Sequence, residues 1–237
     1  MPSITPIAAA LLSIASSALA QTPSAGPAKA DAPGAPTPAA KAAYPEKVTK
    51  KLFAKNDLRG NKAPALTVEA WRIEGKETKA PDLKNKTILI DFWGISCDPC
   101  RRLIPELEAW QEKFKGDLVV VGLSGDTPRA LDNFEDLRGN KIKYTLAIDT
   151  QNRTNRDVGV EGIPHVLLVS ADGIVRWQGF PLSKEEPLTE EKLKQVIDAD
   201  KAARAAAAAS EKKSDPAPTA AKPSETKPET KAPEKKG

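Results

Sequence analysis

The sequence predicts one mixed α/β domain held between two low-complexity flanks. Three observations predict it. Apolar runs of strand length alternate with segments of helical period through the middle of the chain. The flanks are rich in Ala, Pro, Lys and Glu and poor in large apolar side chains. A Cys-x-x-Cys pair, Cys97-Asp98-Pro99-Cys100, stands where a buried strand gives way to a helix.

Each element has its own signal. Leu66–Arg72 (LTVEAWR) alternates as a strand. Thr87–Phe92 (TILIDF) is nearly continuous in apolar residues, as a central strand covered on both sides is. Residues 98–115 carry Leu103, Leu107, Trp110 and Phe114 on one helical face. Leu118–Leu123 (LVVVGL) is a second buried strand. Asp126-Thr127-Pro128 supplies an N-cap and an early proline, opening a helix with Leu131, Phe134 and Leu137 on its apolar face. Tyr144–Ile148 is a short strand. His165–Ser170 and Ile174–Gln178 are strands joined by Ala171-Asp172-Gly173, whose Asp-Gly pair signals a hairpin. A last helix runs from about Thr189 into Lys201 and on through the alanines to Ala209. The sheet is therefore mixed, with helices on both faces.

The flanks set the domain limits. Ile7–Ala20 (IAAALLSIASSALA) is an apolar h-region ending in an Ala-x-Ala pattern, with no Lys or Arg before it. It reads as a signal peptide over residues 1–20, cleaved before Gln21. Residues 21–44 read as a Pro/Ala-rich linker, 45–209 as the folded domain and 210–237 as a disordered Lys/Pro/Glu-rich tail. Export implies an extracytoplasmic or periplasmic location for a protein soluble after cleavage, and an oxidising compartment in which Cys97 and Cys100 pair.

Composition excludes several classes. The net charge is +4 over 237 residues, with Lys and Arg interspersed among Asp and Glu, so no basic stripe for nucleic acid forms. No apolar run reaches the roughly 20 residues of a spanning helix. Two Cys and one His cannot supply a four-Cys zinc site or a motif needing two His. What remains is the Cys pair. At a helix N-terminus Cys97 forms its thiolate more readily than a free thiol does. Cys100, one turn on, is placed to attack a mixed disulfide and release product. A closed structural disulfide and a metal site remain alternatives, although so short a loop constrains the unfolded chain little.

These residues resemble a known family. Ile88–Cys100 (ILIDFWGISCDPC) resembles the thioredoxin active-site segment, with Pro105 five residues beyond Cys100. Val158–Pro164 (VGVEGIP) resembles the cis-proline loop of that family. Gly60-Asn61-Lys62-Ala63-Pro64, the segment around 124–150 and the closing hairpin resemble the N-terminal extension, central insertion and end of exported thioredoxins of the TlpA/ResA type. The resemblance covers about residues 58–200. It implies a thioredoxin fold and a thiol–disulfide oxidoreductase without cofactor or metal. Cys97 is the attacking and Cys100 the resolving thiol, Asp91 the buried acid that takes the proton of Cys100, and Pro164 the cis-proline. Trp93, Ile163 and His165 are expected to face a substrate, Ile163 through its backbone. His165 stands where Thr or Glu is usual; if it lies near Cys97 an imidazolium would support the thiolate, and the alternative is that, as the first residue of a strand, it points away. Ser96 replaces the usual Trp before the first Cys, and Arg101 and Arg102 match a basic pair that either adds positive potential or is solvated helix surface.

Pro99 and Ile163 resemble reducing members, and an acidic Asp98 beside Cys97 opposes thiolate formation. The resemblance thus implies a monomeric reductant of disulfides in exported proteins, cytochrome c apoproteins among them, fed by a membrane electron donor. The alternatives are a disulfide donor or isomerase, or a copper-binding module using Cys97, Cys100 and His165. Peroxide reduction is disfavoured because Gly94 stands where that chemistry wants Thr or Ser.

Overall fold

A computed structural model of the chain describes residues 44–45, 52–139 and 141–211. The expected signal peptide, almost all of the linker and nearly all of the C-terminal tail lie outside the described residues.

The centre is a seven-stranded sheet: β1 (Ala70–Ile73), β2 (Lys76–Thr78), β3 (Thr87–Trp93), β4 (Leu118–Ser124), β5 (Thr145–Ile148), β6 (His165–Val169) and β7 (Val175–Gly179). Their order across the sheet is β2-β1-β5-β4-β3-β6-β7. β5, β4 and β3 are parallel, and antiparallel strands extend the sheet on either side. Four helices among the described residues flank it: α1 (Asp98–Lys113), α2 (Pro128–Arg138), α3 (Arg153–Val158) and α4 (Glu190–Glu211). The expected α/β class and the mixed, helix-flanked, thioredoxin-like sheet are what the chain adopts.

Strand alternation divides the core into two layers. Leu89 and Trp93 of β3, Val120 of β4 and Val166 and Leu168 of β6 point to one side. There they meet Leu103, Ile104 and Leu107 of α1, Leu131 of α2 and Leu193, Val196 and Ile197 of α4. Ile90 and Phe92, Val121 and Leu123, and Leu167 and Val169 point to the other side. That layer is covered by Val158 of α3 and by irregular chain carrying Leu58, Ala63, Leu66 and Val68. The three longer helices therefore share one face. The covering chain is tied to β7 by Gly60 N–H donating to the Val175 carbonyl (2.8 Å) and Ala63 N–H to Gly173 (2.9 Å). Trp110 and Trp177 lie in the helical layer and Trp71 packs against the other, as core or rim residues.

Several elements differ from the sequence pattern. The strand expected over 66–72 begins only at Ala70, and it returns through a two-residue turn into the unexpected β2. Glu74 and Gly75 both take positive φ (49° and 76°), as such a hairpin turn requires. Leu137, expected on the apolar face of α2, is 90% exposed. Its place belongs to Glu135, four residues after Leu131, because the chain following α2 folds back over that position. The Glu135 carboxylate accepts the Ile142 N–H (2.8 Å) and pairs with Lys141 (3.7 Å). α3 carries no apolar periodicity in six residues and left no helical signal. Tyr44, placed by composition in the linker, is packed: its hydroxyl donates to Asp200 (2.7 Å), and the Arg176 guanidinium lies 3.7 Å from its ring centroid.

Candidate functional site

The site lies at the C-terminal ends of the parallel strands, where a sheet of this kind places its ligands. β3 ends at Trp93, and Gly94-Ile95-Ser96 carries the chain into α1. The loop is held by the Ile95 N–H, which donates to Asp126 Oδ2 (2.9 Å); the Ser124 hydroxyl donates to the same oxygen (2.8 Å). Asp126 thus braces the approach to the Cys pair from 31 residues away, while Thr127 takes the expected capping role, its hydroxyl accepting the Ala130 N–H (3.3 Å). Nothing local in the sequence marks that brace.

Cys97 is the N-cap of α1. Its Sγ accepts the Cys100 N–H at 3.2 Å and is joined to Cys100 in a disulfide. The helix dipole and the free first-turn N–H groups favour negative charge at this sulfur once the disulfide opens. The two sulfurs are unequal. Cys97 is partly exposed, whereas Cys100 is fully buried among Leu103, Leu107 and Trp93. An external disulfide can reach the first and not the second.

The Ile163–Pro164 peptide bond is cis. β6 starts at the next residue and runs antiparallel to β3 with Phe92 opposite His165. That register sets the Ile163 carbonyl oxygen 3.7 Å from Cys97 Sγ, with Ile163 itself 37% exposed. A partly exposed backbone beside the reactive sulfur can pair with an extended polypeptide.

Asp91 stands two residues before the end of β3. Alternation along β3 puts it on the face of Leu89 and Trp93, in the layer that holds Cys100. It is 0% exposed and neither carboxyl oxygen has a hydrogen-bond partner among the described residues. Burial alone pushes its pKa up to about 8. Trp93 Nε1 and the Tyr144 hydroxyl, on the same face, are likewise buried without hydrogen-bond partners among the described residues. Opposite Asp91 in β4 stands Gly122. A Cβ there would come within 2.9 Å of Trp93 Nε1, Tyr144 and Leu146, so only glycine lets these groups close in. A carboxyl titrating near pH 8 in this layer is suited to exchange a proton with a buried thiol.

Three expectations are corrected. His165 points to the opposite face: it is fully buried, its ring 6.0 Å from that of Phe92 and its Nε2 3.3 Å from Gln178 Nε2. Burial lowers its pKa to about 4, so it carries no imidazolium to support Cys97 and offers no surface to a substrate. Trp93 is also buried, its ring 5.8 Å from Phe134, and it packs beneath the site rather than facing a substrate. Asp98 does not act on Cys97 as a lone negative charge, since Arg101 (2.8 Å) and Arg102 both pair with it. With His165 on the far face, the copper set of Cys97, Cys100 and His165 is not assembled. No group of three potential metal ligands occurs among the described residues. No helix among them is long and apolar enough to cross a membrane.

Comparison with known proteins fits this geometry. Over 118 residues the chain is 33% identical to the thiol-disulfide oxidoreductase ResA of Bacillus thuringiensis strain Al Hakam, covering 49% of this chain and 66% of that one. Over 119 residues it is 27% identical to ResA of Bacillus subtilis strain 168, covering 49% and 64%. The match spans just under two thirds of the length of these relatives. Among solved structures, a putative thiol:disulfide interchange protein DsbE from Chlorobium tepidum is 28% identical, with a TM-score of 0.48 over 60% of this chain and 97% of that one. The model of the AhpC/TSA family matches residues 59–178, from the segment laid along β7 to β7 itself. That span holds the cysteines, the acid beneath them and the cis-proline, and the chain belongs to the AhpC/TSA family.

Proposed function

We propose that the protein is an exported thiol–disulfide oxidoreductase that reduces disulfides in extracytoplasmic proteins. The observation that carries this reading is the inequality of the two sulfurs: Cys97 half-open at a helix N-terminus, Cys100 sealed above an unpartnered Asp91. In the cycle, the Cys97 thiolate attacks a substrate disulfide and one substrate thiolate leaves. Asp91 takes the proton of Cys100. Cys100 then attacks Cys97, the second substrate thiol departs, and the Cys97–Cys100 disulfide remains. The cis-proline loop holds the substrate backbone through Ile163 during both steps.

Direction rests on Pro99 and Ile163, which resemble those of reducing thioredoxins. Asp98 no longer adds to that case, because its charge is offset by two arginines. A reductant outside the cytoplasm needs a donor, for which a membrane protein passing electrons outward is the fitting class. Cytochrome c apoproteins before haem attachment are a fitting substrate. Gly94, three residues before Cys97, carries no hydroxyl for peroxide chemistry.

The test is the reduction potential of the Cys97–Cys100 pair, equilibrated against a thiol buffer with tryptophan fluorescence as the probe. A value near thioredoxin's, about −270 mV, supports the reductant. A value near about −120 mV makes the protein a disulfide donor instead.

A further inference from the structure

Beside the disulfide lies a polar cavity that the exchange chemistry does not use. It has a volume of about 210 Å³, room for several waters or one long side chain. Gly94 and Ile163 form the wall nearest Cys97, and Asp126, Asn152 and Asn155 form the polar wall. Gly94 lies close to the polar wall as well: a Cβ on it would lie 3.4 Å from Asp126 Oδ2 and 3.7 Å from Ile163 Cδ1. The same Ile163 places its carbonyl oxygen 3.7 Å from Cys97 Sγ. Ile163 thus links the cis-proline loop and Cys97 to the wall of this cavity.

The polar groups there are under-used. Asp126 Oδ2 takes two hydrogen bonds, but Oδ1 has no partner among the described residues. Asn152 holds left-handed backbone (φ 52°), which Asn tolerates, and its amide lies against Gly125. Neither the Asn152 nor the Asn155 side chain makes a hydrogen bond among the described residues. Asp149 also lines the cavity, but the Thr154 N–H (2.9 Å) and the Arg153 Nε (3.2 Å) engage its carboxylate. The balance is one uncompensated carboxylate, two amide oxygens and no cation in the wall.

We infer that this cavity is a specificity pocket for a cationic side chain, Lys or Arg, next to the target cysteine of the substrate polypeptide. The inference rests on the oxidoreductase reading and adds a substrate class to it. A cation of the substrate would donate to Asp126 Oδ1 and to the amide oxygens of Asn152 and Asn155. A carboxylate there would meet like charge, and an aliphatic chain would leave the polar wall unpaired. The pocket acts on recognition and leaves the electron balance of exchange unchanged.

The test uses the full chain in its reduced form and three short peptides. Each has one cysteine in a mixed disulfide with uncharged mercaptoethanol, flanked by Lys, norleucine or Glu. Cys97 attacks the peptide sulfur and mercaptoethanol leaves. Cys100 then displaces the peptide thiol, so two free thiols and the oxidised protein form. The expected kcat/KM is about tenfold higher for the Lys peptide than for the Glu peptide, with norleucine between and the ratio falling in high salt. Asp126→Asn should bring the ratio to within about threefold of unity, and Asn155→Asp should raise it. A ratio taken within each variant cancels any general loss from the Ile95 brace. Equal rates for all three peptides leave the oxidoreductase reading standing and overturn the pocket. So does a Lys preference that neither variant moves. A protein that reduces none of the peptides overturns both.

Discussion

Two aspartates are buried in the same layer of this molecule, and they live by opposite rules. Asp200, on α4, accepts from the Tyr44 hydroxyl (2.7 Å), the Thr87 hydroxyl (2.6 Å) and the Ala171 N–H (2.9 Å). Burial pushes its pKa up, and those three hydrogen bonds pull it back. Asp91, at the other end of β3, has burial and nothing to oppose it. Asp200 ties three chain segments together. Asp91 ties nothing, and a buried unpaired acid costs stability. A buried group kept at a loss in the layer that holds Cys100 is what the proposed proton transfer requires, and a satisfied one is what a structural tie requires.

The contrast can be broken most forcefully at Asp200. Asp200→Ala leaves two hydroxyls and an N–H without their acceptor and should cost about 3–5 kcal/mol in denaturant unfolding. Exchange at low temperature should be little changed. A loss below about 1 kcal/mol would erase the distinction. Next is Asp91→Asn, which should slow resolution of a Cys97 mixed disulfide by about 100-fold at neutral pH. The wild-type rate should rise toward pH 8 and the variant's should not, as followed by stopped-flow fluorescence.

Asp91→Leu sharpens the contrast in the opposite sense. The unfolded carboxyl titrates near 3.9 and the folded one near 8, so the unfolded state binds fewer protons between these values. The stability lost through Asp91 therefore grows as pH rises from about 4 to 8. The variant should be more stable than wild type by roughly 2–4 kcal/mol at pH 8 and by much less at pH 4, read from urea midpoints. A gain independent of pH would mean that Asp91 is not titrating in that window. The smallest effect is Tyr44→Phe, which removes one of three donors to Asp200 and should cost about 1 kcal/mol.

The sequence disclosed these regions unevenly. β3, β4 and α1 were legible because their apolar periods are long and their neighbours are covered. The Cys pair and Pro164 were legible as motifs. Asp91 stood out as the one charged residue in an apolar run. Asp200 did not, because it sits among charged helix residues and its partners come from positions 44, 87 and 171. The facing of His165 depends on its register against Phe92, which no local pattern reveals. Leu137 misled because an apolar residue at helical spacing is buried only where other chain covers it, and Glu135 held that position. Asp126 lay beyond reading for the same reason as Asp200: its partner Ile95 is remote in the chain.

The segment laid along β7 has a further consequence. An open sheet ends in two strands whose outer hydrogen-bonding groups invite another chain to add on. Here Arg59 and Lys62 bridge to Val175 and Ile174, so one margin already has a neighbour from its own chain. The opposite margin, β2, is three residues long, all of them exposed, and carries Lys76 and Glu77. Neither border offers a long apolar template. Both sides of the sheet are thereby poor templates for the addition of a further strand, which leaves the Cys end as the open end of the described fold.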